Sequence, residues 1–168
     1  MHSKRLVYDK FKREDFDHYY ALVGNVEVMR WITGHARSLE ESKRIFEYVL
    51  QTNRESVETG YFAISQSQDN RFIGLGKIIM QNQKKAEIGY ALLPAFWGKG
   101  YGSEISQTLV EYASAISYIK EIVAIIDPEN RASKKILLKC GLELEETCTI
   151  DNLPAEVYKL KKTFSINS

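Results

Sequence analysis

Three glycines alternate within five residues, Gly98, Gly100 and Gly102, and they stand at a joint between two kinds of pattern. Upstream, Ala86 to Leu92 reads as a strand. Downstream, Ile105, Thr108, Leu109, Tyr112, Ala113 and Ile116 fall on one face at helical spacing. A strand that passes into a helix through Trp97–Gly98–Lys99–Gly100–Tyr101–Gly102–Ser103 leaves the first N–H groups of the helix unpaired, at the positive end of its dipole. Glycines clear side chains from the approach to those N–H groups. Lys99 adds a cation, and the combination suits a phosphate or pyrophosphate. Two familiar phosphate loops are excluded by wording. A Walker loop needs Gly-x-x-x-x-Gly-Lys-Ser/Thr, and a dinucleotide loop needs Gly-x-Gly-x-x-Gly at the head of a chain of βαβ units. A turn that needs only positive φ would use the same three glycines.

The flanking segments define the architecture. Arg5 to Lys10 alternates as a first strand, and Glu14 to Val23 reads as a helix ended near Gly24. Residues 25–37 read as irregular. Ser38 with Glu41 matches a capping box, and Ile45, Tyr48, Val49 and Thr52 carry the helix that follows. Tyr61–Ser65, Phe72–Met80 and Ala86–Leu92 read as an antiparallel meander. Ile122–Ile126 is a short apolar run of the kind buried on both faces. Asn130 is an N-cap for a helix through Lys139, and Gly141 is its left-handed stop. A hairpin of Leu142–Ile150 and Glu156–Leu160 around Asp151–Pro154 closes the chain. The fold class is α/β (α+β), with helices flanking a mixed sheet, and not doubly wound. A length of 168 residues is expected to make one domain, 1–168.

Composition narrows the function. The 23 basic and 22 acidic side chains give a net charge of +1, so nothing argues for a nucleic-acid partner. No run approaches the ~20 apolar residues of a membrane helix, and the first fifteen residues lack the apolar stretch of a secretory signal. Cys140 and Cys148 lack metal or redox spacing, and His2, His18 and His35 are scattered. The expectation is a cytoplasmic protein with reduced thiols and no metal.

The run from Ala86 to Gly102 resembles the acyl-CoA motif of the GNAT superfamily of N-acetyltransferases. So does Asn130–Arg131–Ala132–Ser133 followed by Lys139–Cys140–Gly141–Leu142. AEIGY, FWGKGYG and the serine of NRAS look most like the branch of ribosomal-protein N-terminal acetyltransferases. The element order matches from about residue 5 to 162. The resemblance implies a mostly antiparallel sheet in which strand 86–92 splays from its parallel neighbour 122–126. Acetyl-CoA would enter as cosubstrate. Its pantetheine would bond near Leu92 and Leu93, its pyrophosphate would lie on the stretch Trp97, Gly98, Lys99, Gly100, Tyr101, Gly102 and Ser103, and its sulfur end would face Asn130 and Ser133.

The implied activity is that of an acyltransferase moving an acetyl group to a primary amine. Glu87 is the candidate base, acting through water. It shares a face with Lys85, Gly89 and Ala91, whose small members leave room beside it. A surface glutamate paired across strands is the competing reading. Many members carry a tyrosine seven residues after the asparagine; here that position is Leu137, and Ser133, one turn earlier, is the candidate hydroxyl at the sulfur. The acceptor would meet residues 25–37 and the last turn, so Trp31, His35 and Asp151 are candidate substrate residues, with Trp31 as core the competing reading. A peptide or protein N-terminus, a polyamine and an amino sugar all fit. The alternatives are an acyl-CoA-binding module or sensor without transfer activity, and a nucleotide-phosphate binder. The edges of the last hairpin leave a homodimer open.

Overall fold

In the computed structural model, which describes residues 1–161, seven strands form one sheet in the order β1-β2-β3-β4-β5-β7-β6. Residues 162–168, the end of the expected domain, lie outside the described residues. The strands are β1 (Leu6–Lys10), β2 (Gly60–Gln66), β3 (Phe72–Met80), β4 (Lys85–Leu92), β5 (Glu121–Ile126), β6 (Glu143–Ile150) and β7 (Leu153–Lys161). Every neighbouring pair is antiparallel except β4 with β5. That parallel pair is short: it runs only from Lys85–Glu121 to Glu87–Val123. Beyond it β5 turns to β7, pairing Ile122 with Leu160 through Ile126 with Glu156, while β4 stays with β3 as far as Gly74–Leu92. The sheet therefore opens between β4 and β5.

Among the described residues five α-helices cover the two faces: α1 (Phe16–Val23), α2 (Val26–Met29), α3 (Leu39–Glu55), α4 (Tyr101–Ala115) and α5 (Arg131–Lys139). Alternation along the strands supplies both faces with apolar side chains. Ile64, Ile78 and Ile88 pack with Ile105, Leu109 and Leu137 beneath α4 and α5. On the other face Phe11, Tyr19, Leu22, Phe46, Val49 and Phe72 form a second core under α1–α3. Phe11, Tyr19 and Phe46 meet there with ring centroids 4.9–5.9 Å apart.

Three details differ from the sequence reading. Residues 25–37 contain the short helix α2, because the Asn25 side chain accepts from the N–H groups of Glu27 and Val28. The first helix is preceded by a separate 3-10 turn at Arg13–Asp15. The last turn is only Asp151–Asn152, both at positive φ, so β7 begins at Leu153 and takes in Pro154. Two residues at positive φ match the twist of the flanking strands, and Asp and Asn tolerate that conformation. The Ser38 cap stands as expected, its hydroxyl accepting from Glu41 N–H, and Gly141 has φ +84°. Among the described residues no helix is long and apolar enough to cross a membrane.

Lys10 ties the first strand to α3. Its ammonium donates to the carbonyls of Asn53, Ser56 and Thr59, where the helix ends and turns into β2. Burial lowers its pKa, and the three carbonyls keep the cation satisfied. Replacing Lys10 with Met keeps the stem and orphans the carbonyls. The expected loss is about 1.5–3 kcal/mol in urea unfolding; a loss within experimental error would show that water replaces the ammonium.

Candidate functional site

The opening between β4 and β5 exposes backbone. Leu93 N–H donates to Ile73 carbonyl oxygen at 2.9 Å, which makes Ile73–Leu93 a hydrogen-bonded pair of the β3–β4 ladder. In an antiparallel ladder such pairs alternate with pairs whose polar groups face outward. Gly74–Leu92 and Gly76–Tyr90 are therefore outward pairs, and the N–H and C=O groups of Tyr90 and Leu92 point toward β5, which has already left. Trp97 takes one of these groups: its indole N–H donates to the Leu92 carbonyl at 2.9 Å. Leu93, a candidate from sequence, has its N–H on Ile73 and its carbonyl on Phe96 N–H. The strand edge thus offers Tyr90 and the Leu92 N–H, and not Leu93.

The glycine loop lies at the open end of this edge, and its three glycines have different reasons. Gly98 and Gly100 are at φ +71° and +78°, which L side chains rarely adopt. Gly102 lies inside α4, where a Cβ would come 2.8 Å from the Tyr90 hydroxyl and 3.2 Å from Ile136. Gly100 is the N-cap of α4, and no side chain caps that helix. By contrast Asn25, Ser38 and Asn130 cap α2, α3 and α5. The first amides of α4, those of Tyr101, Gly102 and Ser103, are left to meet a ligand. Residues Trp97 to Gly100 and Ser103 are exposed, whereas the Tyr101 ring is buried against Phe96, its hydroxyl accepting from Gln66. Lys99 is exposed, and its ammonium donates to Ala95 carbonyl at 2.8 Å.

Arg5 holds this loop from outside. Its guanidinium donates to the Lys99 carbonyl at 3.1 Å and to Glu104 Oε2 at 2.7 Å, and it lies 4.1 Å above the Tyr101 ring. Glu104 Oε1 accepts from Ser3 Oγ and from the Arg5 backbone N–H. Burial pushes the Glu104 pKa up, but these hydrogen bonds and the Arg5 charge outweigh it, and the net shift is downward. A carboxylate that would oppose an anion at the head of α4 is thereby neutralised.

Across the opening, Asn130 caps α5 by accepting from Ser133 N–H at 3.1 Å. Ser133 is half-buried, and its hydroxyl lowers the Tyr90 pKa against the larger raising effect of burial. Leu137 is in the core, 4% exposed, and contributes only packing.

Glu87 is on the opposite face of the sheet. Its carboxylate receives Lys77 Nζ at 2.5 Å and Gln81 Nε2 at 3.2 Å. The space that Gly89 leaves is filled by the Lys77 stem, since a Cβ there would come 2.8 Å from Lys77 Cε. The sequence reading left that space open, because it lacked the register that sets Lys77 beside Gly89. Among the other candidates, Trp31 is half-buried, belongs to neither core and stacks under Arg30 at 4.8 Å. His35 and Asp151 are exposed. A shallow cavity lined by Asn82, Lys84, Lys85 and Glu121 lies at the paired end of β4 and β5, away from the opening.

A family model described as an acetyltransferase (GNAT) domain matches residues 5–143. The chain belongs to the GNAT acetyltransferase family. It is 31% identical over 146 residues to the probable N-acetyltransferase YjcK of Bacillus subtilis, covering 85% of this chain and 71% of that one. Among solved structures it matches RimL, a ribosomal L7/L12 alpha-N-protein acetyltransferase in complex with coenzyme A (TM-score 0.79, 19% identity, 95% of each chain). It also matches spermidine N-acetyltransferase from Vibrio cholerae in complex with CoA and spermine (TM-score 0.78, 18% identity, 94% of this chain and 95% of that one).

Within this GNAT domain, three contributors carried no local sequence signal. Arg5 and Glu104 meet across 99 positions, and Lys77 reaches Glu87 through strand register. Gly102 gives the sharpest test of the site's packing. Gly102→Ala is expected to destabilise the fold by about 1–3 kcal/mol through overpacking. The cost falls in a Tyr90→Phe background, because the hydroxyl is the nearest atom. Urea unfolding of the four-member cycle checks this, and strict additivity would contradict it.

Proposed function

We propose that this protein transfers an acetyl group from acetyl-CoA to a primary amine by direct attack in a ternary complex. The observation that carries the reading is a coincidence of place. The N-terminus of α4, which like that of α1 has no side-chain cap, sits where the unpaired edge of β4 ends. Those two surfaces fit a pyrophosphate with a pantetheine amide chain attached. An anion at the loop is met by backbone N–H groups from Gly98 to Ser103, with Lys99 alongside. The amides of Tyr90 and Leu92 then pair with the extended arm as a further strand would. RimL and the spermidine enzyme, both solved with CoA, support this choice of cosubstrate.

Bound acetyl-CoA supplies a thioester carbonyl and a thiolate leaving group. The protein's own part begins with placing both reactants in one opening. As the amine nitrogen bonds to the carbonyl carbon, an edge N–H of β4 is directed at the developing oxyanion. Glu87 takes the proton the amine loses, through a water, with Lys77 and Gln81 fixing its two oxygens. The carbon–sulfur bond breaks, and the leaving thiolate is protonated. The Ser133 hydroxyl donates a hydrogen bond to the thiolate at that point, which Leu137 cannot do, and water supplies the proton. Asn130 orients the turn that presents Ser133.

The test pairs binding with turnover. Acetyl-CoA is expected to raise the melting temperature and ATP to leave it unchanged, and thiol release should follow addition of amines. Glu87→Gln is expected to keep the acetyl-CoA shift and lower kcat by about 10²–10⁴-fold. No response to acetyl-CoA overturns the cosubstrate. A response without thiol release from any amine would leave a binding module. Unchanged turnover in Glu87→Gln would remove the base.

A further inference from the structure

The paired end of β4 and β5, away from the opening, carries a second concave surface. A cavity of about 410 Å³ is lined there by Asn82, Gln83, Lys84, Lys85, Lys120 and Glu121. Its three lysines come from three segments: the turn between β3 and β4, the first residue of β4, and the residue before β5. Backbone bonds hold these segments together. The Lys84 carbonyl accepts from the N–H groups of Lys120 at 2.7 Å and of Glu121 at 3.1 Å. Asn82 Oδ1 accepts from the N–H groups of Lys84 and Lys85, both at 2.9 Å, which leaves its amide nitrogen to act as a donor.

The charges around this cavity do not balance. Glu121 is the carboxylate in its lining, and Lys159 holds it at 3.0 Å while also reaching Glu145 at 2.7 Å. Glu87, two residues along β4 from Lys85, is taken by Lys77. Among the described residues neither Lys84 nor Lys85 belongs to an ion pair. Lys120 Nζ donates to the Ser117 carbonyl at 2.7 Å, a neutral acceptor. A concave surface lined by one sign of charge concentrates counter-ions. Lysines are point charges with rotatable donors and lack the planar fork by which arginine matches a single carboxylate. Three of them around one cavity suit a group whose anionic oxygens are spread in space, and the volume is that of a small-molecule site.

We propose that this cavity binds a small phosphate-bearing anion of two or more negative charges, and that the ligand clamps β4 to β5. The parallel pair has only three rungs, and the cavity lies on the first of them, Lys85–Glu121. An anion that reaches Lys84 and Lys85 on one side and Lys120 on the other joins the two strands at the end opposite to the opening. Inorganic diphosphate and the phosphoryl group of an organic ester share this chemistry.

The experiment follows backbone amide signals by NMR at constant ionic strength, with coenzyme A present, during titration with inorganic pyrophosphate, glycerol phosphate or citrate. Pyrophosphate is expected to give saturable shifts at residues 82–85 and 120–121. It is also expected to slow amide exchange at Lys120 and Glu121, whose N–H groups bond across to Lys84. A comparable response to glycerol phosphate assigns the phosphoryl group as what is recognised, and a response to pyrophosphate alone assigns the free diphosphate; either sustains the proposal. Lys84→Gln combined with Lys85→Gln is expected to weaken pyrophosphate binding about tenfold and to leave the acetyl-CoA melting shift unchanged. Because the signals are read residue by residue, a failure of acetyl-CoA to bind at α4 leaves this result standing. Shifts that never saturate, shifts confined to residues 97–103, citrate binding as tightly as pyrophosphate, or full affinity in the double variant would each overturn the site. Saturable binding with unchanged exchange at Lys120 and Glu121 would overturn the clamp.

Discussion

The departure of β5 from β4 after Glu87–Val123 is the constraint on which the rest of this structure depends. A strand in mid-sheet whose outward N–H and C=O groups lack a neighbour must have them met in another way. Here the protein meets one of them itself, with the Trp97 indole on the Leu92 carbonyl. The gap is stable because each strand keeps its other neighbour: β4 stays on β3 and β5 on β7. Those two ladders are antiparallel and long, so the opening is framed by rigid sheet and not by loops.

The loop that caps the opening is held in place by contacts far from it in sequence. Two positive-φ glycines set the path, the glycine inside α4 lets the helix lie close on Tyr90, and Arg5 fastens the loop carbonyl of Lys99 to Glu104. The result is a helix start preorganised for an anion without a surplus of positive surface, consistent with a net charge of +1. The same economy holds on the other side of the sheet. Glu87 and Lys77 neutralise each other there.

Much of this was legible in the sequence where the signal is local. Alternation gave the meander, and the alternating glycines between a strand and a helix located the α4 start. Asn130 and Gly141 bounded α5 through capping chemistry that needs only neighbours. The helix α2 went unread because four residues give no periodicity, although Asn25 was a cap in plain view. The site was half legible. Glu87 and Ser133 stood in recognisable motifs, but the pairing of Glu87 with Lys77 depends on strand register. Leu93 lies next to Leu92 in sequence, yet hydrogen-bond parity puts its N–H on β3, a distinction that composition cannot make.

The central claim is that the unpaired edge of β4 and the uncapped start of α4 form one surface for acetyl-CoA. Residue-resolved amide hydrogen exchange, with and without acetyl-CoA, tests it directly. The account predicts new protection at Tyr90, Leu92 and the amides from Gly98 to Ser103, with Leu93 unchanged because its N–H is already in the ladder. Protection confined to the cavity around Asn82, Lys84 and Glu121, or no change along β4 and the head of α4, would contradict it.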